Sequence, residues 1–236
     1  MGEEAGQGCG AAGSMSGAKE NILASIRDAL GRGEMSGDQR AELERRVKAH
    51  KASQRPARAR GKGQAVIERF IAEAEKVACT IAEVEGIADV PSAVASYLRQ
   101  HNLPGNAVIA PDAWLGDIPW DNESLLNLRA GASNKDDEVA ITPAFGAVAE
   151  TGTLMMASGP NHPTSLNFTP ENHLVVLRKS QVAASYEEVW ANLRKSGKMP
   201  RSVNMITGPS RTGDISMKIY LGAHGPRRLH IVMVDD

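Results

Sequence analysis

An α/β fold on a largely parallel sheet, preceded by a helical N-terminal extension, is what this sequence predicts, and three observations carry that reading. Beyond residue 63, short apolar runs fit for strands alternate with segments of helical periodicity, the pattern of a sheet covered on its faces. Residues 53–63 interrupt the pattern with Pro56, two glycines and a basic run, which marks a boundary between an arm and a main domain. With 236 residues, 42% apolar and 23% charged, the chain has the composition of a globular protein large enough to bury a substantial core.

Residues 1–14 are rich in Gly and Ala without periodicity and read as a disordered leader, with Met15 as the natural start. Ile22, Ile26, Ala29 and Leu30 then recur at helical spacing, and Gly31 and Gly33 stop that helix. A second helix is expected over 38–50. Residues 15–62 are thus a helical arm with a basic linker, and residues 63–236 the α/β domain. Val66, Phe70, Ala74 and Val77 stripe a further helix that leads into a strand over 79–84. Pro91 opens a helix carrying Val94 and Leu98, ahead of a strand at 107–110. Strands are also expected at 125–128, 139–142, 154–157, 174–177, 203–207 and 229–234. Ser185 and Glu188 have capping-box spacing, which places a helix over 186–195.

Composition excludes several classes of function. The formal net charge of −1 gives no global field for nucleic acid or an anionic membrane. Charge is uneven, since eight Lys or Arg and no acid lie between Arg45 and Lys62. That run reads as a solvated helix end entering a linker, or as a docking arm; no aromatic residue is interleaved to stack bases. No stretch approaches the roughly 18 apolar residues of a membrane helix, and residues 1–30 lack a basic segment followed by an apolar one, so a cytoplasmic location is expected. Cys9 and Cys79 form neither a CxxC pair nor a disulfide framework, and two thiols cannot make a four-thiolate iron–sulfur site.

Three blocks carry chemistry. In AETGT, residues 149–153, Glu150 follows the apolar run 145–149 and precedes a Thr-Gly-Thr turn into a strand. Such a carboxylate either acts as nucleophile or base, or takes backbone hydrogen bonds and fixes the turn. In GPSRTGDI, residues 208–215, a strand-ending turn offers donors from Ser210, Arg211 and Thr212, and Arg211 can grip a carboxylate or phosphate with two parallel bonds. Asp214 would cap a following helix or hold Arg211. The loop lacks the GK[ST] ending of a nucleotide phosphate loop. In GAHGP, residues 222–226, His224 is either a proton donor or acceptor beside that loop or an anchor between two turns. His162 and His173 flank a Pro- and Asn-rich segment with the look of a rim or lid loop. Their spacing fits no metal motif.

These blocks resemble the lactate utilization protein C family, also called LutC/YkgG, whose unit is the LUD domain; the likeness runs over residues 66–234. The resemblance implies a three-layer sandwich similar to the NagB, ribose-5-phosphate isomerase and CoA-transferase-like group. It also implies a part in oxidising L-lactate to pyruvate, as the cluster-free subunit working with two partner proteins that carry iron–sulfur clusters, with no cofactor in this chain. By analogy with CoA-transferase-like folds, Glu150 would attack an activated acyl group while the 208–214 loop holds the anion. A free-standing enzyme of that kind, or one binding another anionic ligand, is the alternative. Glu150 and His224 are therefore the candidate catalytic residues. Thr151, Gly152, Thr153, Gly208, Ser210, Arg211, Thr212 and Asp214 are the candidate anion or substrate contacts, with no metal ligand. Glu150 and Arg211 are expected to line one cleft.

Overall fold

The computed structural model describes residues 14–33, 35–51, 54–197, 199–213 and 219–236. Residues 1–13 of the expected leader, and Asp214 and Ile215 of the second block, lie outside the described residues. The chain divides into two units, Met1–Ala52 and Ser53–Asp236.

The first unit contains helices α1 (Ser14–Ala29) and α2 (Gly37–Ala49). Gly31 follows α1 at φ +60°. Ser36 caps α2 by a reciprocal box with Gln39, satisfying donors that the first turn of a helix leaves free. Ile22, Ile26 and Leu30 on the first apolar stripe are exposed.

The second unit begins with a short turn over Ala57–Ala59 and then α3 (Gln64–Lys76), on which Val66, Ile67, Phe70 and Ala74 are buried. Each large apolar side chain so removed from water contributes about 1.5–3 kcal/mol, against at most about 1 kcal/mol for a surface ion pair such as Lys76–Glu73, so the stripe sets the seat of this helix. Strand β1 (Thr80–Val84) comes next, then α4 (Val90–Gln100), with Pro91 in its first turn, β2 (Asn106–Ile109) and the single-turn α5 (Ala113–Gly116). After these come β3 (Asn127–Ala130), β4 (Val139–Pro143), β5 (Gly146–Val148), β6 (Thr153–Ala157), β7 (Asn172–Arg178) and β8 (Val182–Ala183). Helix α6 (Tyr186–Lys195), β9 (Val203–Ile206), the pair β10 (Arg211–Gly213) and β11 (Ile219–Leu221), and β12 (Arg228–Val234) complete the unit.

The main sheet has six strands in the order β1-β12-β7-β4-β2-β3, and every neighbouring pair is parallel. Its central strands are buried on both faces, which is why β7 and β12 read as nearly unbroken apolar runs. One face packs on α4 through Val94, Leu98, Leu174, Val176 and Val232. The other packs on α3 and a second sheet through Phe70, Leu154, Val175, Leu177 and Ile231. That second sheet, β8-β5-β6-β9, mixes parallel and antiparallel pairs, and α6 covers its outer side through Val189 against Val148 and Met155. The layers are therefore helix, parallel sheet, and a mixed layer of α3 with the small sheet. Strands 154–157 and 203–207 expected from sequence belong to that small sheet.

The basic run is partly docked. Arg55 pairs with Glu188 on α6, Arg58 pairs with Glu150, and Arg69 donates to the carbonyls of Arg58 and Arg60, while Ala59 is buried. Among the described residues no helix is long and apolar enough to cross a membrane.

Candidate functional site

Strand β6 starts at the AETGT turn. Gly152 sits at φ +64°, and a Cβ there would lie 2.4 Å from the backbone nitrogen of Ala74, so glycine is what lets the turn close on α3. The Glu150 side chain is 7% exposed and its Oε1 accepts from Arg58 Nε at 3.0 Å; among the described residues this guanidinium, not backbone N–H groups, is its partner. The turn is held instead by hydroxyls. Thr151 and Thr153 Oγ1 are 2.7 Å apart, Tyr186 OH lies 2.7 and 2.9 Å from them, and Thr153 Oγ1 reaches Thr207 Oγ1 at 2.7 Å. This last bond ties the AETGT turn to the residue that precedes Gly208.

At Gly208 the chain turns at φ +79°, with the Val77 carbonyl oxygen 2.4 Å from where a Cβ would stand. The helix expected after Asp214 would begin outside the described residues, and the described part of this loop ends in a strand. Arg211, Thr212 and Gly213 form β10, paired antiparallel with Ile219, Tyr220 and Leu221. The β-favouring residues on β11 supply a partner strand that the Gly-rich motif alone did not reveal. Among the described residues of this loop, the groups that could meet an anion are side chains and the turn's own N–H groups. The second and third blocks meet directly: Ser210 N–H donates to Pro226 O at 2.8 Å and Gly222 N–H to Ser210 O at 3.0 Å.

Between these blocks lies a cavity of about 290 Å³ lined by Gly208, Ser210, Arg211, His224, His173 and Asn167, among others. Arg211 and His224 are exposed at its mouth, and His173 on β7 is fully buried at its back. His173 Nε2 lies 2.7 Å from Thr142 Oγ1, and its Nδ1 has no partner among the described residues. Burial pushes the His173 pKa down to about 3, so the ring stays neutral and offers one lone pair or one N–H to a ligand. Burial likewise raises the Cys79 thiol to about 11, which keeps it an inert core group near Gly208 and Arg211. Glu150 does not line this cavity, nor do Thr151, Gly152, Thr153 and Thr212. Instead of the single cleft expected for Glu150 and Arg211, the structure has a cavity at Arg211 and a separate Glu150–Arg58 pair.

A second cavity, of about 200 Å³, involves none of the residues singled out from the three blocks. It opens where the sheet changes direction: from β2 the chain moves outward to β3, and from β4 it moves the other way to β7. Open parallel sheets leave a crevice at the carboxyl ends of strands at such a point. Ala110 and Thr142 from the two strand ends, Asp112 and Trp114 at α5, His162, and Arg178 at the end of β7 line it. Five separate segments contribute, so no local spacing could have disclosed it. His162, expected in a rim or lid, does stand at this rim, whereas His173 belongs to the sheet. Among the described residues there is no cluster of His, Cys, Asp and Glu suited to a metal.

This architecture and these linked blocks define an α/β domain of a known kind: residues 132–234 match the LUD domain. A DUF162-family protein from Deinococcus radiodurans has a similar fold, with a TM-score of 0.55 and 22% identity over 74% of this chain and 99% of that one. Among curated proteins, lactate utilization protein C of a Geobacillus species is 30% identical over 50% of this chain and 54% of its own length. That of Geobacillus thermodenitrificans is 28% identical over 67% of this chain and 75% of its own. The likeness to lactate utilization protein C is thus one of a shared LUD domain, and the chain spans only about half the length of the first curated relatives it matches.

Proposed function

We propose that this chain is the cluster-free subunit of an L-lactate-oxidising assembly whose partner proteins carry iron–sulfur clusters, and that Arg211 binds a small anion there. Oxidation of lactate to pyruvate removes two electrons and two protons. The electrons would leave through the partners' clusters, for this chain has only Cys9 and Cys79. The relatives named lactate utilization protein C support the pathway, and one observation supports the anion role. Arg211, Ser210 and His224, from blocks separate in sequence, converge on one cavity with the neutral His173 at its back, and no acid pairs with Arg211 among the described residues. A guanidinium placed so favours a carboxylate or phosphate oxygen pair.

On this reading Glu150 engages Arg58 and anchors the basic segment beside the AETGT turn, and His224 donates or accepts a proton at the cavity mouth. The alternative of a CoA-transferase-like enzyme needs Glu150 and the 208–214 loop to share one ligand, and Glu150 is not in the Arg211 cavity. Replacing Arg211 by Ala should abolish growth on L-lactate while leaving the thermal midpoint of the purified protein unchanged. Normal growth of that variant would remove the anion role.

A further inference from the structure

We propose that the cavity at the carboxyl ends of β2 and β4 is a second ligand site, for a short monocarboxylate seated on Arg178. The proposal does not rest on the lactate reading. Its first support is position, at the point where the strand order reverses. Its second is an uncompensated cation. The Arg178 guanidinium carbon lies 4.3 Å from the centroid of the Trp114 ring, and among the described residues no carboxylate pairs with it. The indole face meets the guanidinium carbon without supplying an acceptor, and paired guanidinium N–H groups fit a carboxylate.

The nearest acid is already committed. Asp112 Oδ1 accepts from Trp114 N–H at 2.9 Å and Leu115 N–H at 3.2 Å, capping α5, while its Oδ2 lies 3.3 Å from His162 Nε2. The main chain of His162 is fixed, because its backbone N–H donates to Gly159 O at 3.0 Å and its carbonyl accepts from Gly159 N–H. Gln181 braces the wall at the end of β7: its Oε1 accepts from the main-chain N–H of Arg178 at 3.0 Å and its Nε2 donates to Ala144 O at 3.3 Å. The polar walls are therefore preorganised before a ligand arrives, which lowers the entropy lost on binding.

Charge and size select the ligand. One guanidinium and one carboxylate both line the cavity, which suits a monoanion, whereas a phosphate dianion would meet stronger repulsion from Asp112. At about 200 Å³ the space takes roughly half a dozen water-sized groups, which admits a short-chain acid with its carbon tail against Phe145 and Met156.

Trp114 makes the site observable, since drawing Arg178 onto a carboxylate changes the surroundings of that indole. Acetate, pyruvate, L-lactate and inorganic phosphate are titrated into the full chain and its Arg178→Gln, His162→Asn, Arg211→Ala and Trp114→Phe variants, following tryptophan emission and heat. The carboxylates should give a saturable emission change in the wild type and in Arg211→Ala. That change should be absent in Trp114→Phe, and binding should weaken about tenfold or more in Arg178→Gln. Phosphate should give none. Circular dichroism establishes that Arg178→Gln is folded; if it is not, His162→Asn, outside the sheet, serves in its place and should weaken binding by releasing Asp112. Binding unchanged in the folded variant, or no carboxylate response in the wild type, overturns the proposal. Binding lost in Arg211→Ala but kept in Arg178→Gln also overturns it, while sustaining the loop cavity as the carboxylate site.

Discussion

Gly152 and Gly208 show how single residues hold the candidate site in place. Both have left-handed backbone, and at both a Cβ would lie 2.4 Å from main-chain atoms of the α3 region, Ala74 N and Val77 O. Left-handed backbone costs a non-glycine residue about 1–2 kcal/mol before any clash is counted, and main chain yields less readily than the end of a side chain. Gly208→Ala and Gly152→Ala should therefore each lower stability by at least that amount in chemical denaturation. Gly208→Ala should also loosen the turn that leads to Ser210 and Arg211. Wild-type stability in both variants would show that α3 moves aside at little cost. The motif glycines were legible in the sequence, but their reason was not: the sequence suggests room for a ligand, and the structure puts a helix there.

At the scale of elements, two buried histidines link strands of the main sheet. His173 on β7 bonds Thr142 on β4, and His230 on β12 lies 2.8 Å from Thr80 on β1 while stacking on Tyr97 of α4 at 4.0 Å. Burial depresses both, to about 3 and about 4. The unfolded chain protonates histidine near pH 6.5, so between about 4 and 6.5 it binds more protons than the folded state, and stability falls as the pH drops through that window. The slope is up to about 1.4 kcal/mol per pH unit for each histidine. Denaturation midpoints measured from pH 7 to 4.5 should fall, and less so in His230→Asn; a midpoint that rises on acidification would contradict this. Elements with strong periodicity were readable in advance, such as α3 from its apolar stripe and α6 from Ser185, whose side chain accepts from Glu188 N–H. Those with weak patterns were not. The edge strand β3 begins at Asn127 rather than at residue 125, since Leu125 is exposed and the strand is only partly covered. The three-residue β5 and two-residue β8 are too short for any period to show.

For the molecule as a whole, the parallel sheet decides which parts of the sequence meet. It draws the carboxyl ends of β2, β4 and β7 together around Asp112, Thr142, His162 and Arg178, residues no local motif connects, so that cavity is invisible in the sequence. The AETGT, GPSRTG and GAHGP blocks, by contrast, were visible as blocks, and hydrogen bonds through Thr153, Thr207, Ser210 and Gly222 join them. On the proposed reading, the two cavities of this domain hold small acids and electron transfer falls to partner proteins. The most direct measurement is to tag the chain, purify it gently from lactate-grown host cells and identify by mass spectrometry what accompanies it in stoichiometric amounts. Iron–sulfur proteins should come with it, and should still do so with Arg211→Ala, which alters ligand binding rather than assembly. Recovery of the wild-type chain alone would contradict its role as a subunit of a lactate-oxidising assembly.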